Sequence, residues 1–133
     1  MSAGLRGLWA LLLICFGLTV LDILVVETFF RSEGLWDLII FWHVPYWIAI
    51  FLFPLIFAYE TKSYIPLAGW LFFLFGLEDT LFYALQGSLP VRYWGVMVMG
   101  VWEPSLWFVL QVNVVGLFLM VLVVAGMLLE GRD

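Results

Sequence analysis

Charge is scarce in this chain, and positive charge most of all. Only 11% of its 133 residues are charged, and 5 Lys and Arg stand against 10 Asp and Glu, for a formal net charge of −5. A nucleic-acid surface and a polybasic lipid-binding patch both need clustered basic residues, so both are excluded. Cysteine occurs once, as Cys15, which rules out an internal disulfide and Cys-x-x-Cys chemistry and leaves a small packing residue. Histidine also occurs once, as His43. A His-Glu-x-x-His helix and the paired Glu-x-x-His motifs of di-metal bundles are therefore impossible. Gly-rich phosphate loops and a Gly-x-Ser-x-Gly elbow are missing too, and most soluble catalytic classes go with them.

What fills the chain instead is apolar. Hydrophobic residues make up 66% and aromatics 20%, well outside the composition of soluble domains. Four apolar runs, near residues 5–29, 36–59, 64–86 and 105–129, are each long enough to cross a bilayer as a helix. The alternation expected of membrane β-strands does not occur. The reading is an all-α integral membrane protein, a single domain over 1–133 folded as a four-transmembrane-helix antiparallel bundle. The first run is too long for a signal peptide, lacks a small-residue cleavage site and carries Asp22 and Glu27, which argues for a retained helix.

Four antiparallel spans place both termini on one side with Lys62, and the loops 30–35 and 87–104 on the other. Arg6, Lys62 and Arg132 against Arg31 and Arg92 favour a cytoplasmic side for the termini. Most of the tryptophans, among them Trp9, Trp36, Trp47, Trp70 and Trp107, fit interfacial belts. The segment 87–104 is apolar enough to lie on the bilayer surface as a cap, with Arg92 available to Glu103 or Glu27.

The informative residues are the polar ones inside the runs. With a helical rise of about 1.5 Å per residue, Asp22, His43, the pair Glu78 and Asp79, and Gln111 all come out about 9–12 Å below the same surface, one or two from each helix. Ionisable groups at such depth are costly and face the bundle interior or a wet cavity, where they usually mark function. The alternative is interhelical hydrogen bonding without a further role. Adjacent helical residues point about 100° apart, so Glu78 and Asp79 are not expected to aim at one centre together. Phe82 and Tyr83 follow them at i, i+4. Pro45 and Pro54 are expected to bend the second helix.

The run Leu77, Glu78, Asp79, Thr80, Leu81, Phe82, Tyr83 resembles the acidic helix motif of the small membrane-embedded lycopene cyclase domains of carotenoid biosynthesis. In that family a Glu-Glu or Glu-Asp pair follows Pro and an aliphatic residue and precedes two aromatics; here Gly76 stands in place of the proline. The resemblance implies a non-redox isomerase or cyclase acting on an isoprenoid, in which an acid protonates a polyene end and the carbocation closes a ring. It also implies pairing of the chain with itself or another chain. Glu78 would then be the proton donor, Asp79 the carboxylate that stabilises the cation or takes the proton back, and His43 a base or orienting partner beside Asp22. Trp42, Phe82, Tyr83 and Gln111 would bind substrate, the aromatics through their π faces.

Two other readings remain open at this stage. One His and up to three carboxyls could hold a single divalent metal for a lipid enzyme, whereas the acid mechanism needs no cofactor. A non-enzymatic membrane subunit, or a binder of a hydrophobic ligand, suits the small size and aromatic content. In all three cases the partners are membrane lipids and an apolar small molecule.

Overall fold

A computed structural model describes residues 1–88 and 105–131 of the chain. Among the described residues every regular element is helical. Helix α1, Ala3–Ile23, starts at Ser2, whose Oγ accepts the Leu5 N–H at 3.2 Å and so satisfies one of the free donors of the first turn. Its buried residues Gly4, Gly7, Leu11, Ile14, Leu18 and Asp22 recur at three- and four-residue spacing, a single stripe turned inward. The helix then widens into a π-helix, Leu24–Arg31. The wider turn keeps Val26 and Phe30, four and eight residues beyond Asp22, on the buried side.

A 3₁₀ turn, Trp36–Leu38, leads into α2, Ile40–Thr61, which runs unbroken past both Pro45 and Pro54. It stops where Lys62 takes a left-handed conformation (φ 56°) and its N–H turns back to the Ala58 and Tyr59 carbonyls. The Arg6 guanidinium donates to the Thr61 carbonyl at 3.3 Å, which ties the start of α1 to the end of α2. Gly7 is needed there, because a Cβ would run into the Ser63 side chain. A second 3₁₀ turn, Ile65–Ala68, continues into α3, Gly69–Leu74.

The third apolar run, expected as one helix over 64–86, is broken. After α3 the chain turns, and α4, Leu77–Ala84, leaves at 78° to the segment Ile65–Leu74. The turn is made at Gly76 (φ 71°), a left-handed backbone that costs other residues about 1–2 kcal/mol. A proline, locked near φ −65°, cannot adopt it at all. The chain therefore enters the acidic motif differently from the cyclase pattern, which has proline at this place.

Helix α5, Leu106–Glu130, holds the break from outside. Asn113 Nδ2 donates to the Phe75 carbonyl at 2.9 Å, and Asn113 Oδ1 accepts from the Thr80 hydroxyl, so one side chain binds both sides of the turn. Gly116, one turn further on, lies against the Phe75 side chain with no room for a Cβ. The core runs through α1 (Leu11, Ile14, Leu18), α2 (Tyr46, Ile50) and the third segment (Ile65, Phe72, Phe73), with Met120 of α5 closing it.

Three stretches are long and apolar enough to cross a membrane, Ala3–Arg31, Ile40–Thr61 and Leu106–Glu130, and a fourth is reached if the bent pair is one span. The surfaces of α2 and α5 carry exposed Phe41, Ile48, Leu52, Ile56, Val114, Phe118 and Leu122, apolar well beyond a core-facing stripe. The expected cap over 87–104, with Arg92 and Glu103, lies outside the described residues except for Gly87 and Ser88. Glu27 pairs with Arg31, N···O 3.2 Å.

Replacing Asn113 by Leu removes the donor to the Phe75 carbonyl and should destabilise the fold by about 1–3 kcal/mol, the cost of an unsatisfied buried acceptor. Thr80→Val leaves that bond in place and should cost clearly less. Unfolding midpoints in mixed detergent micelles check both, and equal losses would place the weight on Thr80 instead.

Candidate functional site

A cavity of about 330 Å³ lies between α1, α2 and the broken third segment. From α2 it is lined by His43, Tyr46, Trp47, Ile50 and Phe51, which fall on one face at spacings of three, four, seven and eight residues. Trp70, Phe73 and Leu74 come from α3, Glu78 and Asp79 from α4, and Asp22 from α1. Polarity is segregated along it. His43 and Tyr46 on α2 belong with Asp22, Glu78 and Asp79, whereas the stretch towards Phe51, about 12 Å along α2 from His43, is aromatic and aliphatic.

The break explains why two consecutive carboxyls share the site. Glu78 and Asp79 lie in the first turn of α4, each 7% exposed, and both line the cavity. On a straight span they would diverge by about 100°. Only the first turn of α4 lines the cavity, so α4 meets it end-on, and both side chains reach in. The expectation that one of the two must point elsewhere fails for that reason.

Hydrogen bonds lock the polar end. Trp42 donates its indole N–H to Asp22 Oδ1 at 2.8 Å and stacks on Tyr46, with ring centres 5.4 Å apart. The Tyr46 hydroxyl lies 3.0 Å from Glu78 Oε1 and 3.2 Å from the Leu18 carbonyl. A phenol has one proton to donate. Tyr46 therefore shares that proton between two acceptors, the Glu78 carboxyl and the Leu18 carbonyl. The Asp22 and Glu78 carboxyls are also within hydrogen-bonding range of each other, and two ionised carboxylates, being acceptors only, cannot make that bond. The arrangement is that of an acid pair holding a proton. His43 is half-buried on the same wall.

The structure thus brings Asp22, His43, Glu78 and Asp79 to one cavity. Trp42 stands behind Asp22 and does not line it. Phe82 is buried and Tyr83 half-buried; their rings meet edge to face at 5.1 Å, and neither lines the cavity. Gln111 is exposed on α5, outside it. Tyr46, Trp47 and Trp70 are among the members that sequence reasoning did not place there. Tyr46 and Trp47 had a signal, their positions three and four residues after His43; Trp70 had none. Among the described residues no three His, Cys, Asp or Glu side chains are grouped so as to hold a metal ion, which leaves the metal reading without a ligand set.

No protein-family model, curated protein or solved structure matches the chain.

A protonated pair should be visible directly. Infrared spectra at neutral pH are expected to show a carboxylic-acid C=O stretch that weakens in Glu78→Gln and shifts in Tyr46→Phe. Carboxylate bands alone would rule the shared proton out.

Proposed function

We propose that the chain is a membrane-embedded isomerase or cyclase that protonates an apolar isoprenoid or lipid held in this cavity. The observation that carries the reading is the pairing of an aromatic and aliphatic chamber with a proton-holding acid group at one end of it. The same reading takes the bent pair as one span, which makes the fold a four-transmembrane-helix antiparallel bundle with both termini on one, cytoplasmic, side. Lipids and an apolar substrate are its partners, and pairing with another chain is part of what the cyclase resemblance implies.

The chemistry needs no net oxidation. Glu78 gives its proton to one carbon of a double bond, and the neighbouring carbon becomes a cation. A second double bond of the substrate attacks that cation and closes the ring. Loss of a proton from the ring to the Asp79 carboxylate regenerates a double bond, and transfer of that proton to Glu78 restores the start. Trp47, Trp70 and Phe73 line the chamber in which the cation would form, and aromatic faces attract positive charge. Trp42, through its bond to Asp22, fixes the carboxyl that shares the proton of Glu78.

The test is extraction of the lipids that co-purify with the protein, followed by turnover of any isoprenoid found. Glu78→Gln should lower turnover by about 10²–10⁴-fold, the range of general-acid catalysis, while the guest is retained. Retained guest with no turnover even in the unaltered protein would make the chain a binder. Stoichiometric metal, lost in Asp22→Asn, His43→Ala and Glu78→Gln, would replace acid catalysis with metal chemistry.

A further inference from the structure

The cavity is closed at its acid end and open at the other. Asp22, Glu78 and Asp79 are 8%, 7% and 7% exposed, whereas Phe51 on α2 and Leu74 on α3 line the same cavity at 57% and 46%. The opening therefore lies on the flank of the molecule, at the seam of α2 and α3. Both of its rim residues are apolar, as is the α2 surface around them, where Ile48, Leu52 and Leu55 are exposed. Trp70 donates its indole N–H to the Phe51 carbonyl at 3.2 Å and so joins α3 to α2 at this mouth.

Size and charge narrow the guest. About 330 Å³ is near the lower limit of the roughly 300–1,000 Å³ that pockets use to enclose a drug-sized ligand, so a long lipid does not fit whole. The described lining carries three carboxyl side chains and no Lys or Arg. A carboxylate or phosphate head group would lose its hydration there and face three carboxyls, with His43 the one described lining side chain able to carry positive charge. The end that goes in is therefore not an anionic head.

We propose that the cavity is filled sideways from hydrocarbon, through the α2 and α3 seam between Phe51 and Leu74, by the uncharged apolar end of a chain longer than the cavity. The rest of the guest stays outside in lipid. This rests on the reading of the cavity as a site for an apolar guest, and on no turnover. It puts the leading end of the guest at Glu78 and the remainder of the chain beyond the mouth at Phe51 and Leu74.

Two hydrocarbon probes of equal length, with a photoactivatable diazirine at the chain end or at the midpoint, test it on the full chain in phosphatidylcholine vesicles. The terminal probe should label Asp22, Glu78 or Asp79, and the midpoint probe Phe51 or Leu74, both saturably against excess unlabelled hydrocarbon. Leu74→Trp, which narrows the mouth away from the acid end, should cut acid-end labelling about tenfold, equivalent to about 1.4 kcal/mol of binding; Leu74→Ala should keep it. Equal acid-end labelling by both probes overturns the end-first orientation. Undiminished labelling in Leu74→Trp with an unchanged unfolding midpoint overturns sideways filling and leaves the apolar-guest reading standing. Absence of saturable labelling at the acid end overturns both. The comparison of the two probes needs no variant.

Discussion

A helix that breaks among apolar neighbours strands backbone groups with no water to take them up. Here the carbonyl of Phe75 is left at the turn, and Asn113 of α5 supplies the missing donor. A backbone group that leaves a helix away from bulk water needs a partner in protein or in a wet cavity. The break meets that condition from both sides, with Asn113 and Gly116 against its outer face and the cavity against its inner one. Everything at the polar end follows. Without the 78° turn, α4 would present its side to the cavity, and Glu78 and Asp79 could not both line it.

Holding three carboxyls in such surroundings has to be compensated. A charged Asp at the centre of a span costs about 2.5–3.5 kcal/mol on insertion scales, and no Lys or Arg is among the described lining residues. The compensation visible in the structure is hydrogen bonding, from Trp42 to Asp22, between Tyr46 and Glu78, and between Asp22 and Glu78 themselves. Each of these is a neutral donor meeting an acid, or a shared proton. That keeps acids buried without a Lys or Arg partner in the described lining. Among the described residues no buried side-chain nitrogen or oxygen lacks a partner.

Much of this was legible in the order of the residues, and the limits are physical. Composition and run length were enough for an all-helical chain with three or four long apolar helices, because those properties depend on sums over many residues. Depth counting along the runs brought Asp22, His43, Glu78 and Asp79 together, since a helix converts position into height at a fixed rise. Rotation about each helix axis was not available from the same count. Gln111 has the right height yet faces outward, while Asn113, two residues on, faces inward and binds the break. The break itself was hidden because Gly76 is an ordinary residue in an apolar helix unless a neighbour donates to the freed Phe75 carbonyl, and that neighbour is 38 positions later in the chain.

The division of labour between the helices has a consequence for how the site could change. The cavity lining comes from α1 to α4, and α5 contributes none of it. Yet α5 governs the angle at which α4 arrives, through one hydrogen-bonded side chain and one missing Cβ. Substitutions along α2, at Trp47, Ile50 or Phe51, would reshape the chamber while leaving the acids where they are. Substitutions at Asn113 or Gly116 touch no lining atom and would move both acids together. The residues that shape the apolar chamber and those that set the angle of α4 thus lie on different helices.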